Sequence, residues 1–329
     1  MKKYIITIII LTICLTLILI TYVLNKKEEK SNLKTIKVAE VTHSAFYAPL
    51  YVAIEEGYFE ENGINIELIL TSGANNVTAA VLSNDVEIGF CGPEATIYVY
   101  KEGEKDYIQT FAGLTKRDGQ FIVSRKKIDN FTMEMLEGKE VLAGRVGGMP
   151  ILNFINALDN ANIDKEKINI NTSIDFASLT GSFIGGTGDF VNLFEPNATK
   201  IEKEGLGYIV ASIGEFSGEM PYTAFNARKS FIENNKDIIT NFTNAINKGL
   251  NFVHNNTSKT IAETIIDQFP DTSLNDLILI IERYKEADSW LTTPHITEES
   301  FKNLQDIMIK DKQIKDYVPY KDLINNAYE

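Results

Sequence analysis

Hydrophobic positions change their spacing regularly along the chain. "TIKVAEV", residues 35–41, alternates apolar and polar positions as a half-buried strand does. A helix opening at Pro49 then carries Leu50, Ile54 and Tyr58 at i, i+4 and i+8, which reads as one buried stripe. After Gly57 and Gly63, "NIELIL" predicts a second strand, "NNVTAAVLSN" a helix, "VEIGF" a third strand, and "EATIYVYKEG" a helix ending at Gly103. "DYIQTFAGLT" and "QFIVSR" read as strands separated by "KRDG". Alternation continues with "KEVLAG", "KINI" and "DFVNLF" as strands and "PILNFINALDNA" and "PNATKIEKEG" as helices. Strands and helices in turn with short connections argue an open α/β architecture with parallel sheets.

Beyond Ile232 the pattern becomes almost wholly helical, in "IENNKDIITNFTNAINKGLNFVHNN", "TIAETIIDQF", "SLNDLILIIERY" and "EESFKNLQDIMI". Two α/β segments followed by a helical tail suggest two lobes, with a cleft at the carboxyl ends of their strands. The expected division is an anchor and tether over residues 1–30, a first lobe from 31–116 with 224–329, and a second lobe from 117–223.

The amino terminus follows a different rule. Residues 4–24, "YIITIIILTICLTLILITYVL", carry no charge, and about 20 apolar residues are enough to span a bilayer. A secretory signal has a shorter apolar region and a small-residue cleavage site, so a retained membrane anchor is favoured. "LTIC" also allows a lipoprotein reading through Cys14, against which stand bulky Ile13 and the largely apolar run that follows. Either way the rest of the chain is expected on the extracytoplasmic face of the cell membrane, the orientation resting on the likeness of the start to secretion signals. Cys91 is the only other cysteine, so no internal disulfide can form in that part.

Composition adds exclusions. The 329 residues are 44% hydrophobic and 23% charged, which is ordinary for a globular protein. Thirty-two basic residues against forty-five acidic ones give a formal charge of −13, which argues against nucleic acid as a partner. No nucleophile elbow, P-loop, HExxH or CxxC occurs, and His43, His254 and His295 have no metal-site spacing.

The candidate chemistry gathers at strand ends. "VTHSAFYAP" ends a strand with His43, Phe46 and Tyr47, either as a capped turn or as the wall of a pocket. Three helix starts share one design: Ser72 and Gly73; Gly92, Pro93 and Glu94; and Gly147, Gly148 and Met149 ahead of Pro150. Glycine lets a ligand approach the backbone, and exposed helix N–H groups favour an anionic or strongly polar head group; the plainer reading is tight turns. Arg117 and Asp118 lie in "KRDG", as a surface hairpin or as part of the cleft. Glu195, before Pro196, either caps a helix or accepts a hydrogen bond from a ligand.

Taken together, "SAFYAPLYVAIEEGYFEENGINIEL", "GANNVTAAVLSNDVEIGFCGPEAT", "LEGKEVLAGRVGGMPILNFINALDNANID" and "NLFEPNATKIEKEG" resemble the substrate-binding proteins of ABC importers. More narrowly they are similar to the group that includes aliphatic-sulfonate-binding, taurine-binding and thiamine-pyrimidine-precursor-binding proteins. The resemblance runs from about residue 36 to about residue 256. It implies a type II periplasmic-binding-protein fold, two α/β lobes joined by crossing strands and closing on a small organic solute, with an ABC permease and its ATPase as partners. It implies ligand contacts from His43, Phe46, Tyr47, Ser72, Gly73, Gly92, Pro93, Glu94, Gly147, Gly148, Met149 and Glu195, with Tyr222 of "PYTAFNA" as a further candidate. Arg117, facing inward, would pair with a sulfonate, phosphate or carboxylate. A monomer that makes and breaks no bond, with no cofactor and no metal, is expected. The alternatives are a sensor ectodomain and a pyrimidine-building enzyme on the same fold, whose cysteine-rich motif is missing here.

Overall fold

The computed structural model describes residues 33–144 and 146–328. The expected anchor and Cys14 lie outside the described residues; among the described ones no helix is long and apolar enough to cross a membrane.

Two five-stranded sheets organise the chain. The first holds β1 (Lys34–Glu40), β2 (Ile64–Leu70), β3 (Ile88–Cys91), β4 (Ile108–Thr115) and β10 (Thr223–Arg228), in the order β2-β1-β3-β10-β4. The second holds β5 (Phe121–Ser124), β6 (Glu140–Leu142), β7 (Asn169–Asn171), β8 (Phe190–Leu193) and β9 (Tyr208–Ser212), in the order β7-β6-β8-β5-β9. β1 is parallel to β2 and β3, and β6 to β7 and β8, as alternating strands and helices require. The expectation of parallel sheets fails at the crossings. β10 runs antiparallel to β3 and β4, and β5 antiparallel to β8 and β9. Each of these two strands arrives from the other sheet rather than from a neighbour in its own, and so enters its sheet from the opposite end. "KRDG" accordingly joins strands of different sheets and is not a hairpin.

The helices are α1 (Ala48–Glu55), α2 (Ala74–Leu82), α3 (Glu94–Lys101), α4 (Met149–Asn160), α5 (Leu179–Ile184), α6 (Asn197–Lys203) and α7 (Ile213–Ser217). The tail adds α8 (Lys229–Asn234), α9 (Lys236–Asn255), α10 (Ser258–Ile265), α11 (Leu274–Glu286), α12 (Glu298–Lys310) and α13 (Tyr320–Leu323). Side-chain oxygens of Thr257, Ser273 and Thr297 cap α10, α11 and α12, each accepting from an N–H three residues on. Two expectations change. α1 is buried all along Ala48–Ala53 rather than on one stripe, because α9 and α10 cover its outer side, and Tyr58 falls in the turn beyond it. The run from residue 232 breaks at Asn235 into α8 and α9.

The main apolar core continues from one lobe into the other. Under the first sheet Phe90 stacks on Phe225 at 4.3 Å, and Phe225 meets Phe242 of α9 edge-on at 5.0 Å. The same cluster runs through Phe46 and Tyr222 to Phe194 at the end of β8. Burying one such side chain is worth about 1.5–3 kcal/mol, so packing at the crossing helps hold the two lobes together. The tail also touches both lobes: Lys310 of α12 pairs with Asp159 of α4 at 2.8 Å, and Lys165 with Asp311 at 3.0 Å.

Candidate functional site

A cleft opens where the carboxyl ends of β1 and β3 face the start of α4. It encloses about 620 Å³ of empty space when its open mouth is counted. Val41, Thr42, Tyr47, Gly73, Ala74, Gly92, Glu94, Tyr222 and Thr223 line it from the first sheet's side; Gly144, Gly148, Met149, Pro150, Phe176 and Phe194 line it from the second. Of the residues expected from the sequence, Tyr47, Gly73, Gly92, Glu94, Gly148, Met149 and Tyr222 meet here.

The local geometry follows from residue type. Gly73 caps α2 at φ +92°, a backbone conformation that side chains other than glycine's rarely accept. Gly92 is needed for space instead. A Cβ placed there would lie 2.0 Å from Glu94 Oε2 and 2.3 Å from Cγ of Met149. Met149 thus reaches from its lobe to the floor of the other, and the missing side chain of Gly92 makes room for it and for the Glu94 carboxyl together. Pro93 is the cap of α3 rather than its first residue, and Pro150 takes the second position of α4 behind Met149.

The walls are aromatic. Tyr47 packs edge-on against Phe90 at 4.4 Å. Phe194 meets Phe176 at 5.7 Å and 61°, and Tyr222 at 6.3 Å and 64°. Burial pushes both phenols well above their ordinary range, Tyr47 beside the Thr223 hydroxyl and Tyr222 beside the Asp118 carboxyl. Both stay neutral and able to donate.

The other expected residues lie elsewhere, each for a visible reason. His43 turns toward the tail: Nδ1 lies 2.8 Å from Glu40 Oε1, Nε2 lies 2.9 Å from the Gln268 carbonyl, and the ring packs on Tyr51 and Phe269. Burial opposes its charged form, yet the Glu40 carboxylate and the Gln268 carbonyl outweigh that and raise its pKa. Phe46 is fully buried behind Tyr47, and its carbonyl accepts the Trp290 indole N–H at 2.8 Å. Ser72 is exposed, and its carbonyl accepts from the Asn76 side chain. Pro93 turns its carbonyl to the Thr96 hydroxyl, and Gly147 stands clear of the lining.

Arg117 faces away from the cleft. It pairs with Glu219 at 2.9 Å and, with Lys116, surrounds Asp288. Asp118 is buried in the crossing, its Oδ1 accepting from the Gln120 N–H at 2.7 Å, and burial pushes its carboxyl up to about 8. Glu195 is also buried, and its carboxylate is fully used. It accepts from the Thr199 N–H and hydroxyl, both at 2.8 Å, and from Arg283 of α11 at 2.8 Å. Its carbonyl accepts the Ser44 hydroxyl at 2.6 Å. Glu195 ties β8 to the tail and to the first lobe, and does not line the cleft.

Known proteins agree with this arrangement. Residues 44–259 match the family described as "NMT1/THI5 like". The chain belongs to that family. A relative in Bacillus subtilis (strain 168), "Putative binding protein YtlA", is 41% identical over 313 residues, covering 95% of this chain and 94% of its own. The NMT1/THI5-like chain also superposes on solved structures of the periplasmic-binding-protein fold. One is the ligand-binding component of an ABC-type import system from Staphylococcus aureus, with TM-score 0.70, 13% identity, and coverage of 90% of this chain and 97% of that one. Another is the alkanesulfonate-binding protein SsuA from Xanthomonas axonopodis pv. citri, with TM-score 0.68, 13% identity, and coverage of 88% and 97%.

Sequence reasoning missed Phe176 and Phe194. Phe194 adjoins Glu195, which drew attention first because its charge marks it; Phe176 falls in a stretch without periodicity, and nothing local singles it out.

Proposed function

We propose that this protein is the extracytoplasmic solute receptor of an ABC importer, held at the membrane by its amino-terminal segment and binding as a monomer. The observation that carries this reading is the cleft: an aromatic-walled space lined by both lobes, with Met149 reaching across it to Gly92. Ligand affinity for the closed arrangement would shift the population toward it and present the permease with a distinct shape. The name of the Bacillus relative and the import-system neighbour support the same reading. The side chains favour binding over bond-making: the Cys91 thiol is buried and pushed well up, and His43 is committed to Glu40 and Gln268.

Thermal-shift screening of the purified chain against sulfonates, pyrimidines, flavins, nucleosides and amines tests it. One class should raise Tm; a ligand at about 100 times its Kd adds about 2.7 kcal/mol. Phe194→Ala should remove the shift. Conversion of a bound solute into product, in place of stabilisation, would make the protein an enzyme instead.

A further inference from the structure

Taking the cleft as the receptor site, we infer that His43 is a positioning residue for it: as an imidazolium it clasps the segment between β1 and α1, one wall of the cleft, onto the tail. That segment supplies Val41, Thr42 and Tyr47 to the lining. His43 stands in its middle, turned outward, with its ring between Tyr51 of α1 and Phe269 of the tail at 4.8 and 5.0 Å.

Both ring nitrogens meet atoms that accept hydrogen bonds. Nδ1 lies 2.8 Å from Oε1 of Glu40, the last residue of β1, and Nε2 lies 2.9 Å from the Gln268 carbonyl, in the turn after α10. A neutral imidazole carries one N–H and can donate to one of the two; the imidazolium carries two and donates to both. The Tyr51 hydroxyl, 3.1 Å from Nδ1, spends its one proton on Glu40 Oε2 at 2.8 Å and so does not serve a bare Nδ1. The contacts themselves therefore ask for the charged ring.

Among the described residues, Glu40 of β1 and Tyr51 of α1 are the titratable groups on the ring. Burial keeps Tyr51 neutral, and the tail presents the Gln268 carbonyl and the Phe269 ring, with the Gln268 side chain bonded to Glu55 of α1. Burial works against the charge on His43, but Glu40 and the Gln268 carbonyl outweigh it and raise the pKa above the ordinary 6.5. Losing the proton gives up one of the two bonds, and with it the hold of the tail or of β1 on the wall. The next residue depends on the same cluster: the Ser44 N–H donates to the Tyr51 hydroxyl at 3.3 Å, and its own hydroxyl to the Glu195 carbonyl of the second lobe at 2.6 Å. The wall is thus pinned below the unfolded pKa and loosens as pH rises through the folded one.

Two measurements on the full chain, neither using a solute, test the clasp. NMR titration with nitrogen-labelled histidine should find both His43 ring nitrogens protonated up to a midpoint above 6.5, the signal being the one lost in His43→Phe. Hydrogen exchange, corrected for the intrinsic effect of pH, should show residues 41–47 and 266–269 losing protection together across that midpoint. The loss should be at least about tenfold, the worth of one charge-assisted bond, and His43→Phe should be poorly protected on both sides. If that variant does not fold, His254→Gln and His295→Gln assign the signals and the wild-type curves decide. A midpoint at or below 6.5, or protection of residues 41–47 indifferent to it, would overturn the clasp and leave the receptor reading standing; failure of the solute screen would do the reverse.

Discussion

Asp118 and Gly92 show how far a residue's environment outruns its type. An aspartate beside an arginine looks like a surface pair, yet Asp118 is buried and its carboxyl is pushed up to about 8, from an ordinary 3.8. Between those two values the unfolded chain ionises while the folded one keeps its proton, so folding takes up a proton and stability falls as pH rises from about 4 to about 8. Asp118→Asn removes this loss and keeps an acceptor for the Gln120 N–H. Chemical denaturation at pH 5 and pH 8 should find the variant more stable than wild type by over about 1 kcal/mol at pH 8, the worth of one pKa unit, with a smaller gap at pH 5. His43 acts in the same direction near neutrality. Its raised pKa gives stability that is complete below the unfolded value and lost as pH rises through the folded one. Both proteins share that term, so the comparison between them isolates Asp118. Gly92→Ala would place a methyl group against Glu94 and Met149. Overpacking of this kind costs about 1–3 kcal/mol, and the solute identified by screening should bind at least about tenfold more weakly.

Among the elements, the tail is the one whose role changes most. α11 delivers Arg283 to Glu195 and to Glu202 at 2.9 Å, and Tyr284 to the Gly119 carbonyl at 3.1 Å. Glu195→Ala leaves Arg283 paired with Glu202 but strips the buried Thr199 N–H of its acceptor, and should lower stability by about 1–3 kcal/mol, read as a fall in denaturation midpoint, with any weaker binding following from that. Arg117→Ala, at the half-exposed cluster with Glu219 and Asp288, should cost under about 1 kcal/mol and leave solute affinity unchanged. A loss of affinity in that variant would place Arg117 in the cleft after all. The helix starts were legible beforehand because Gly and Pro have local conformational consequences. The direction of β5 and β10 was not, since strand pairing depends on which sheet the chain joins.

At the level of the molecule, the two lobes share one continuous core through Phe46, Tyr222 and Phe194, so closure is expected to be a modest rotation about a packed hinge. Small-angle scattering of the chain with saturating solute should show a smaller radius of gyration than without it, and Met149→Ala should reduce the change. By itself the sequence determined the alternation of strands and helices, the helical tail, the glycine-marked helix starts and the family resemblance, because periodicity, turn chemistry and motif order are properties of neighbouring residues. Tyr47, Glu94, Met149 and Tyr222 could be nominated on that basis. Only the tertiary structure decided that His43, Arg117 and Glu195 turn away from the cleft and that Phe176 and Phe194 turn into it. Each of these choices rests on a partner distant in sequence, Gln268 for His43, Glu219 for Arg117 and Arg283 for Glu195, and no local pattern encodes which of them will be within reach.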